Sequence, residues 1–158
     1  MRPDCDILLI ATTTGEAANN SILNEWLLQR RSGNSCQVVC GPPGWRSLYA
    51  CEHEALSILC KNYRHVALGM DSCDTLETRV AQWLTDPDIA RDEIGFSCDP
   101  ATTHVFLCGD PLMIGAPTKR GGWQYDVAAS GLVPLLMRHG FTVKTRFKDG
   151  NVEYETYW

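Results

Sequence analysis

The hydrophobic pattern along the chain switches repeatedly between strand-like runs and stretches of helical spacing. Residues 6–11, DILLIA, form a short apolar, β-branched run, and in the following NNSILNEWLLQRR the apolar Ile22, Leu23, Trp26 and Leu27 share one helical face, with Arg30 and Arg31 in the last turn. CQVVC, 36–40, reads as a second buried strand. After the breaker-rich GPPGW a helix is expected from about Ser47 to Tyr63, with Leu48, Ala55, Leu56 and Leu59 at helical spacing. HVALGM, 65–70, is a third strand, and TLETRVAQWLTD, 75–86, a helix that gathers Leu76, Val80, Trp83 and Leu84. No period runs from Pro87 to Thr103, which reads as loop. THVFLCG, 103–109, is the fourth strand, PLMIGAP a short helix or turn, and TKRGGWQYD a surface loop. SGLVPLLMRHGF reads as a helix with Ser130 as N-cap, Pro134 in its opening turns and Gly140 as C-cap. FTVKTRF, 141–147, is the fifth strand, and the Asp-Gly of KDGN could fold NVEYETYW back antiparallel onto it.

Strands alternating with helices imply right-handed crossovers. The expected fold is a single α/β domain over residues 1–158: a doubly wound, mainly parallel five-stranded sheet flanked by helices, with an antiparallel C-terminal strand as an option. Ligands of such sheets sit outside the carboxyl ends of the strands, so the informative loops are Thr12–Ala18, Gly41–Arg46, Met70–Asp74 and Gly109–Ala116.

Composition changes this picture only by exclusion. A net charge of −5 without any Lys/Arg cluster gives no electrostatic footprint for nucleic acid or an anionic membrane. The longest apolar stretches, ILLIA and GLVPLLM, are too short to span a bilayer, and MRPDCD lacks the order of a signal peptide, which points to a cytoplasmic protein. The eight cysteines include no CxxC and read as reduced, mostly buried thiols. His53, His65, His104 and His139 form no HxxxH or HExxH pattern, so linear spacing argues against a metal site.

The turn IATTTGEAANNS carries the first candidate chemistry. It places three threonines and a glycine between a strand and a helix, where backbone N–H groups and hydroxyls can cradle a pyrophosphate. It is neither GxGxxG nor a Walker A loop; a capped, Thr-rich turn with no ligand fits it about as well, and Glu16 adds a negative charge. ATTTGEAANNSIL nevertheless resembles the A-T-G-T-G-x-A-P loop that opens the NADP-binding domain of ferredoxin–NADP reductases. VFLCGDPLMIGAP resembles that family's C-G-x-P-x-M signature, and VEYETYW looks like the aromatic terminus of its bacterial members. YACEHEAL after the second strand and GLVPLLMRHGF before the last agree in order, so the resemblance spans essentially the whole chain.

This resemblance implies hydride transfer between NADP or NAD and FAD, followed by electron transfer to a ferredoxin or flavodoxin. It assigns the pyrophosphate to Thr12, Thr14, Gly15 and Ala17, and the nicotinamide to Cys108 and Gly109, with Asp110, Pro111 and Met113 shaping the same pocket. Gly109 permits close backbone approach, and a small polarizable thiol can touch a ring without blocking it, although by pattern alone Cys108 reads as a buried strand cysteine. Tyr49 matches a tyrosine able to stack on adenine, Arg79 matches a 2′-phosphate arginine, and Arg46 could substitute for a missing one. The terminal Trp158 is expected to cover the flavin ring until nicotinamide displaces it; an aromatic plug over the core is the other reading.

The chain departs from the pattern in three places. Thr13 replaces the first loop glycine and Ala18 the proline. The arginine positions fall in Gly41-Pro42-Pro43 and Met70-Asp71-Ser72, where Asp71 can accept from a ribose 2′-hydroxyl but repels a 2′-phosphate, so weakened NADP preference and possible NAD use are expected. Nothing resembles the family's FAD-binding barrel, so FAD would come from a separate domain in cis or in trans. Two further readings are a stand-alone, non-catalytic dinucleotide-binding or interaction module, favoured by these substitutions, and a small phosphate-binding hydrolase or transferase with Glu16 as its one candidate base.

Overall fold

The computed structural model describes residues 4–29, 31–69, 73–115 and 126–157. Five strands, β1 (Asp6–Thr12), β2 (Ser35–Gly41), β3 (Tyr63–Gly69), β4 (Thr103–Gly109) and β5 (Val152–Thr156), form one sheet in the order β3-β2-β1-β4-β5. Every neighbouring pair is parallel. The connecting helices are α1 (Glu16–Leu28), α2 (Ala50–Leu59), α3 (Cys73–Thr85), α4 (Pro87–Glu93), α5 (Pro111–Ile114) and α6 (Leu132–Arg138). The expected doubly wound α/β sheet is therefore what the chain forms.

The alternation of side chains along the central strands splits the core into two layers. Leu8, Ile10, Val38, Val105 and Leu107 face Leu76, Val80 and Trp83 of α3 and the apolar side of α6. Ile7, Leu9 and Phe106 face Leu23 and Trp26 of α1. Strand order reverses between β1 and β4, so their onward connections leave toward opposite faces and open a crevice at their carboxyl ends.

Several expectations are corrected. The segment 141–147 is not a strand: Val143 and Thr145 make isolated bridges, and the tight turn falls between Thr145 and Lys148, ahead of Asp149-Gly150. The place beside β4 goes to residues 152–156 instead, parallel rather than antiparallel, because Val152 fits fully buried against Val105. The stretch after residue 86 is not all loop: Asp86 accepts hydrogen bonds from the N–H groups of Asp88 and Ile89, and Pro87 occupies the first turn of α4. Finally, α2 is shorter than expected and turns a different face inward, burying Ala50 and His53 and leaving Leu48 and Leu59 88% and 77% exposed. The start of α6 also differs: Gly131, at φ +112, occupies the N-cap position instead of Ser130.

Candidate dinucleotide site at the carboxyl edge

β1 ends in a single 3₁₀ turn, Thr13–Gly15, that leads directly into α1. This turn is pressed onto the end of β4 at distances that exclude side chains. A Cβ on Gly15 would lie 2.2 Å from the Cys108 carbonyl oxygen, and one on Gly109 would lie 1.9 Å from Thr12 Oγ1. Gly109 also sits at φ +135, outside the comfortable range of other residues. The Asp110 N–H donates to Thr12 Oγ1 at 2.9 Å, so the threonine turn and the Cys108–Asp110 segment form one unit.

Thr13 is the sole non-glycine residue with positive φ among the described residues, at 36°. It stands where the reductase pattern has glycine, and the backbone conformation supplies the reason a glycine suits that position. A β-branched residue there carries strain.

α1 starts at this turn without a side-chain cap, since its N-cap is Gly15 and Thr12 makes no capping hydrogen bond. An uncapped helix N-terminus at a glycine turn presents backbone N–H groups and the positive end of the helix dipole to an anion. Glu16, the charge that spoke against a phosphate here, is turned inward. Its side chain is 2% exposed, accepts a hydrogen bond from Ser47 Oγ and lies 3.1 Å from His53 Nε2. Burial raises its pKa, opposed by the Ser47 hydrogen bond, so the first turn presents less negative charge than the sequence suggested. Thr14 and Ala17 are exposed along the edge.

On the α1 side of the switch point a cleft of about 480 Å³ runs between the helix and β4–β5, lined in part by Asn19, Cys108, Tyr154 and Glu155. Cys108 is 2% exposed, and burial, with the Glu155 charge second, pushes its thiol up to about 11. It is a neutral, packed thiol at physiological pH, suited to contact rather than to nucleophilic attack. Asp110 caps α5 by accepting from the Leu112 N–H at 2.8 Å, while Met113, 1% exposed, faces the core. The Tyr157 N–H donates to the Gly109 carbonyl at 2.9 Å, bringing the end of the chain beside Cys108 and Gly109. Trp158 lies outside the described residues. A larger cleft of about 620 Å³, lined by Pro100, Thr103, Gly140 and Asn151, lies at the amino end of β4, the wrong edge for a ligand of a parallel sheet.

The other half of the edge, where β2 and β3 end, is looser. Arg46 is exposed, with Nη2 3.8 Å from Glu54 Oε1, and Tyr49 is 36% exposed. Arg79 is not available as an unengaged cation: it pairs with Glu93 of α4 at 2.6 Å, and the same carboxylate accepts from Trp83 Nε1 at 2.7 Å. Asp71 lies outside the described residues. Sequence reasoning missed the buried group behind this edge, in which Tyr63 Oη is 2.6 Å from His53 Nδ1 and His53 stacks on His65 at 4.4 Å. Its members come from α1, α2 and β3, so no linear spacing reveals them.

This geometry has a counterpart among solved structures. The chain superposes with a TM-score of 0.67 on a ferredoxin NADP+ reductase from Neisseria gonorrhoeae, solved with bound FAD and NADP, at 15% identity over 97% of this chain and 56% of that one. The likeness is one of fold, and the chain spans a little over half the length of that reductase. No family model matches the chain, and no curated protein matches it by sequence. No helix among the described residues is long and apolar enough to cross a membrane.

Proposed function

We propose that this chain is the NAD(P)H-binding portion of a flavin-dependent ferredoxin or flavodoxin reductase, positioning nicotinamide for hydride exchange with FAD held by another domain. The interlock of Thr12–Gly15 with Cys108–Asp110 at the β1/β4 switch point carries this reading. It brings together, from opposite ends of the sequence, the two segments that the resemblance assigns to pyrophosphate and nicotinamide. The residues present fit a dinucleotide: an uncapped helix N-terminus for the phosphates, an inward-turned Glu16, and a cleft beside Cys108. The dinucleotide supplies the hydride chemistry when bound. The amides at the start of α1 hold its phosphates, Gly109 allows the ring to approach the backbone, and Cys108 excludes water beside it. No general acid, base or nucleophile is needed for this role.

Two features temper affinity, one at the pyrophosphate turn and one at the adenosine end. Thr13 strains the turn, and Arg79 is committed to Glu93. Among the described residues exposed Arg46, only loosely engaged by Glu54, is the cation offered at this edge, so NADH and NADPH are expected to bind with similar affinity. Titration calorimetry with both dinucleotides tests this: comparable Kd values support it, and a strong preference for NADPH argues against it. Mixing the protein with an FAD-binding reductase domain in trans and following NAD(P)H-dependent dye reduction tests the catalytic part. A rate no higher than that of the separate components would favour a non-catalytic dinucleotide module.

A further inference from the structure

We infer that Glu16, His53 and His65 form a binding site for one divalent first-row transition ion, with Zn²⁺ the foremost candidate, placed behind the first turn of α1. One donor atom from each side chain lies within 4.8 Å of the other two. A tetrahedral zinc with ligand bonds of about 2.1 Å needs donors about 3.4 Å apart, and the His53 Nε2 to Glu16 Oε1 distance is already 3.1 Å. Both separations that involve His65 lie within 4.8 Å, and because its ring is stacked on that of His53 with 15° between the planes, the His65 ring must turn about its side-chain bonds to direct a nitrogen at the same ion. Two imidazoles and a carboxylate are a donor set that selects zinc or iron over magnesium or calcium.

An independent observation points to a missing occupant. His65 Nε2 is buried without a hydrogen-bond partner, and so are both amide atoms of Gln37, which lies beside His65 in the β2–β3 register. Buried polar atoms left unpaired cost about 1–3 kcal/mol each, and several of them in one place call for an ion or water. An ion bound by His65 satisfies its Nε2 directly, and a metal-bound water would reach the neighbouring amide of Gln37.

The surrounding groups are those that orient metal ligands. Tyr63 Oη fixes the His53 ring through Nδ1, and Ser47 Oγ holds the Glu16 carboxylate. Binding by His53 Nε2 leaves its ring proton on Nδ1, which then donates to Tyr63 Oη, and the Tyr63 hydroxyl keeps its proton and turns it away from the imidazole. The ion would tie α1, α2 and β3 together behind the candidate dinucleotide turn. Its presence does not depend on dinucleotide binding.

Chelator-treated, reduced full chain titrated with Co²⁺ provides the test, because the eight cysteines would betray themselves by a thiolate-to-cobalt charge-transfer band. The expected result is one equivalent bound with visible bands of a nitrogen and oxygen site and no thiolate band. Zn²⁺ should displace the cobalt and raise Tm. His65→Asn, at a half-buried position, should weaken binding more than about a hundredfold with an unchanged circular dichroism spectrum, and Tyr63→Phe by about 10- to 100-fold. No binding by the unaltered chain, a thiolate spectrum, or equal affinity in His65→Asn would each overturn the proposal. The spectrum of the unaltered chain decides the matter even where a variant fails to fold.

Discussion

Where β1 meets β4, the carboxyl edge of the sheet has no room for a methyl group at Gly15 or Gly109; where β2 and β3 end, the same edge carries Arg46 and Tyr49 at exposed positions, and Arg79 of α3 is paired with Glu93 at the end of α4. The first region is defined by which side chains are missing. The second depends on which charges are present, and there the reductase pattern's arginine positions fall in Gly41-Pro42-Pro43 and Met70-Asp71-Ser72. Substitutions in the first region should act on stability and binding together, and those in the second on ligand choice alone.

The largest effect is expected in the close-packed region. Gly109→Ala combines positive φ with a clash on Thr12, and Gly15→Ala a clash on the Cys108 carbonyl, so each should cost roughly 2–4 kcal/mol and abolish dinucleotide binding. Gly44→Ala is the internal control: φ is +77 but nothing lies within 4 Å of the added Cβ, and the cost should be about 1 kcal/mol. Denaturant unfolding of the three variants compares them, and equal costs would dissolve the distinction between space and backbone conformation.

Alkaline pH should also divide the molecule. Burial pushes the thiols of Cys40 and Cys98 up to about 12 and that of Cys108 to about 11, from an ordinary value of 9.0. Between these values the unfolded chain releases protons that the folded chain retains, so stability present below pH 9 declines as pH rises toward 11 and 12. Mass-mapped alkylation sharpens the contrast: exposed Cys51 should react first at pH 8, and Cys108 only as pH approaches its raised value. Early modification of Cys108 would show that the edge opens.

A gain is expected at the boundary of the two regions. Thr13→Gly relieves a positive φ and should stabilise the fold by about 1 kcal/mol while tightening dinucleotide affinity. A loss of stability, read by thermal unfolding, would mean that the threonine side chain matters more than its backbone strain. The smallest effects belong to the open half. Arg79→Ala should change the NADPH Kd by less than about twofold, because an exposed pair contributes only about 0–1 kcal/mol and its charge is already engaged. Arg46→Ala should weaken NADPH more than NADH, and an equal effect on both would remove Arg46 from the 2′-phosphate.

Much of this arrangement was legible in the sequence, for identifiable reasons. Buried parallel strands are continuous apolar runs, so residues 103–109 were delimited without error, and Leu23 and Trp26 or Leu76, Val80 and Trp83 marked the inward faces of their helices. Val152 and Tyr154 alternate with Glu153 and Glu155 as expected, but their pairing partner was not, because an Asp-Gly turn after 141–147 satisfies local hairpin rules while the vacancy beside β4 is a property of the whole sheet. α2 was misread because exposed Leu48 and Leu59 keep helical spacing, whereas the buried side belongs to His53, whose partners Glu16, Tyr63 and His65 come from two other stretches of chain, α1 and β3. A polar core assembled across elements leaves no period to detect.

The central claim is that the β1/β4 switch point is a dinucleotide site, and amide chemical-shift mapping during titration with NADPH tests it most directly. The account predicts saturable shifts at Thr12–Gly15, in the first turn of α1 and at Cys108–Asp110, with NADH producing the same map. No shifts at millimolar dinucleotide, or shifts gathered around Pro100, Thr103 and Asn151 at the amino end of β4, would contradict it.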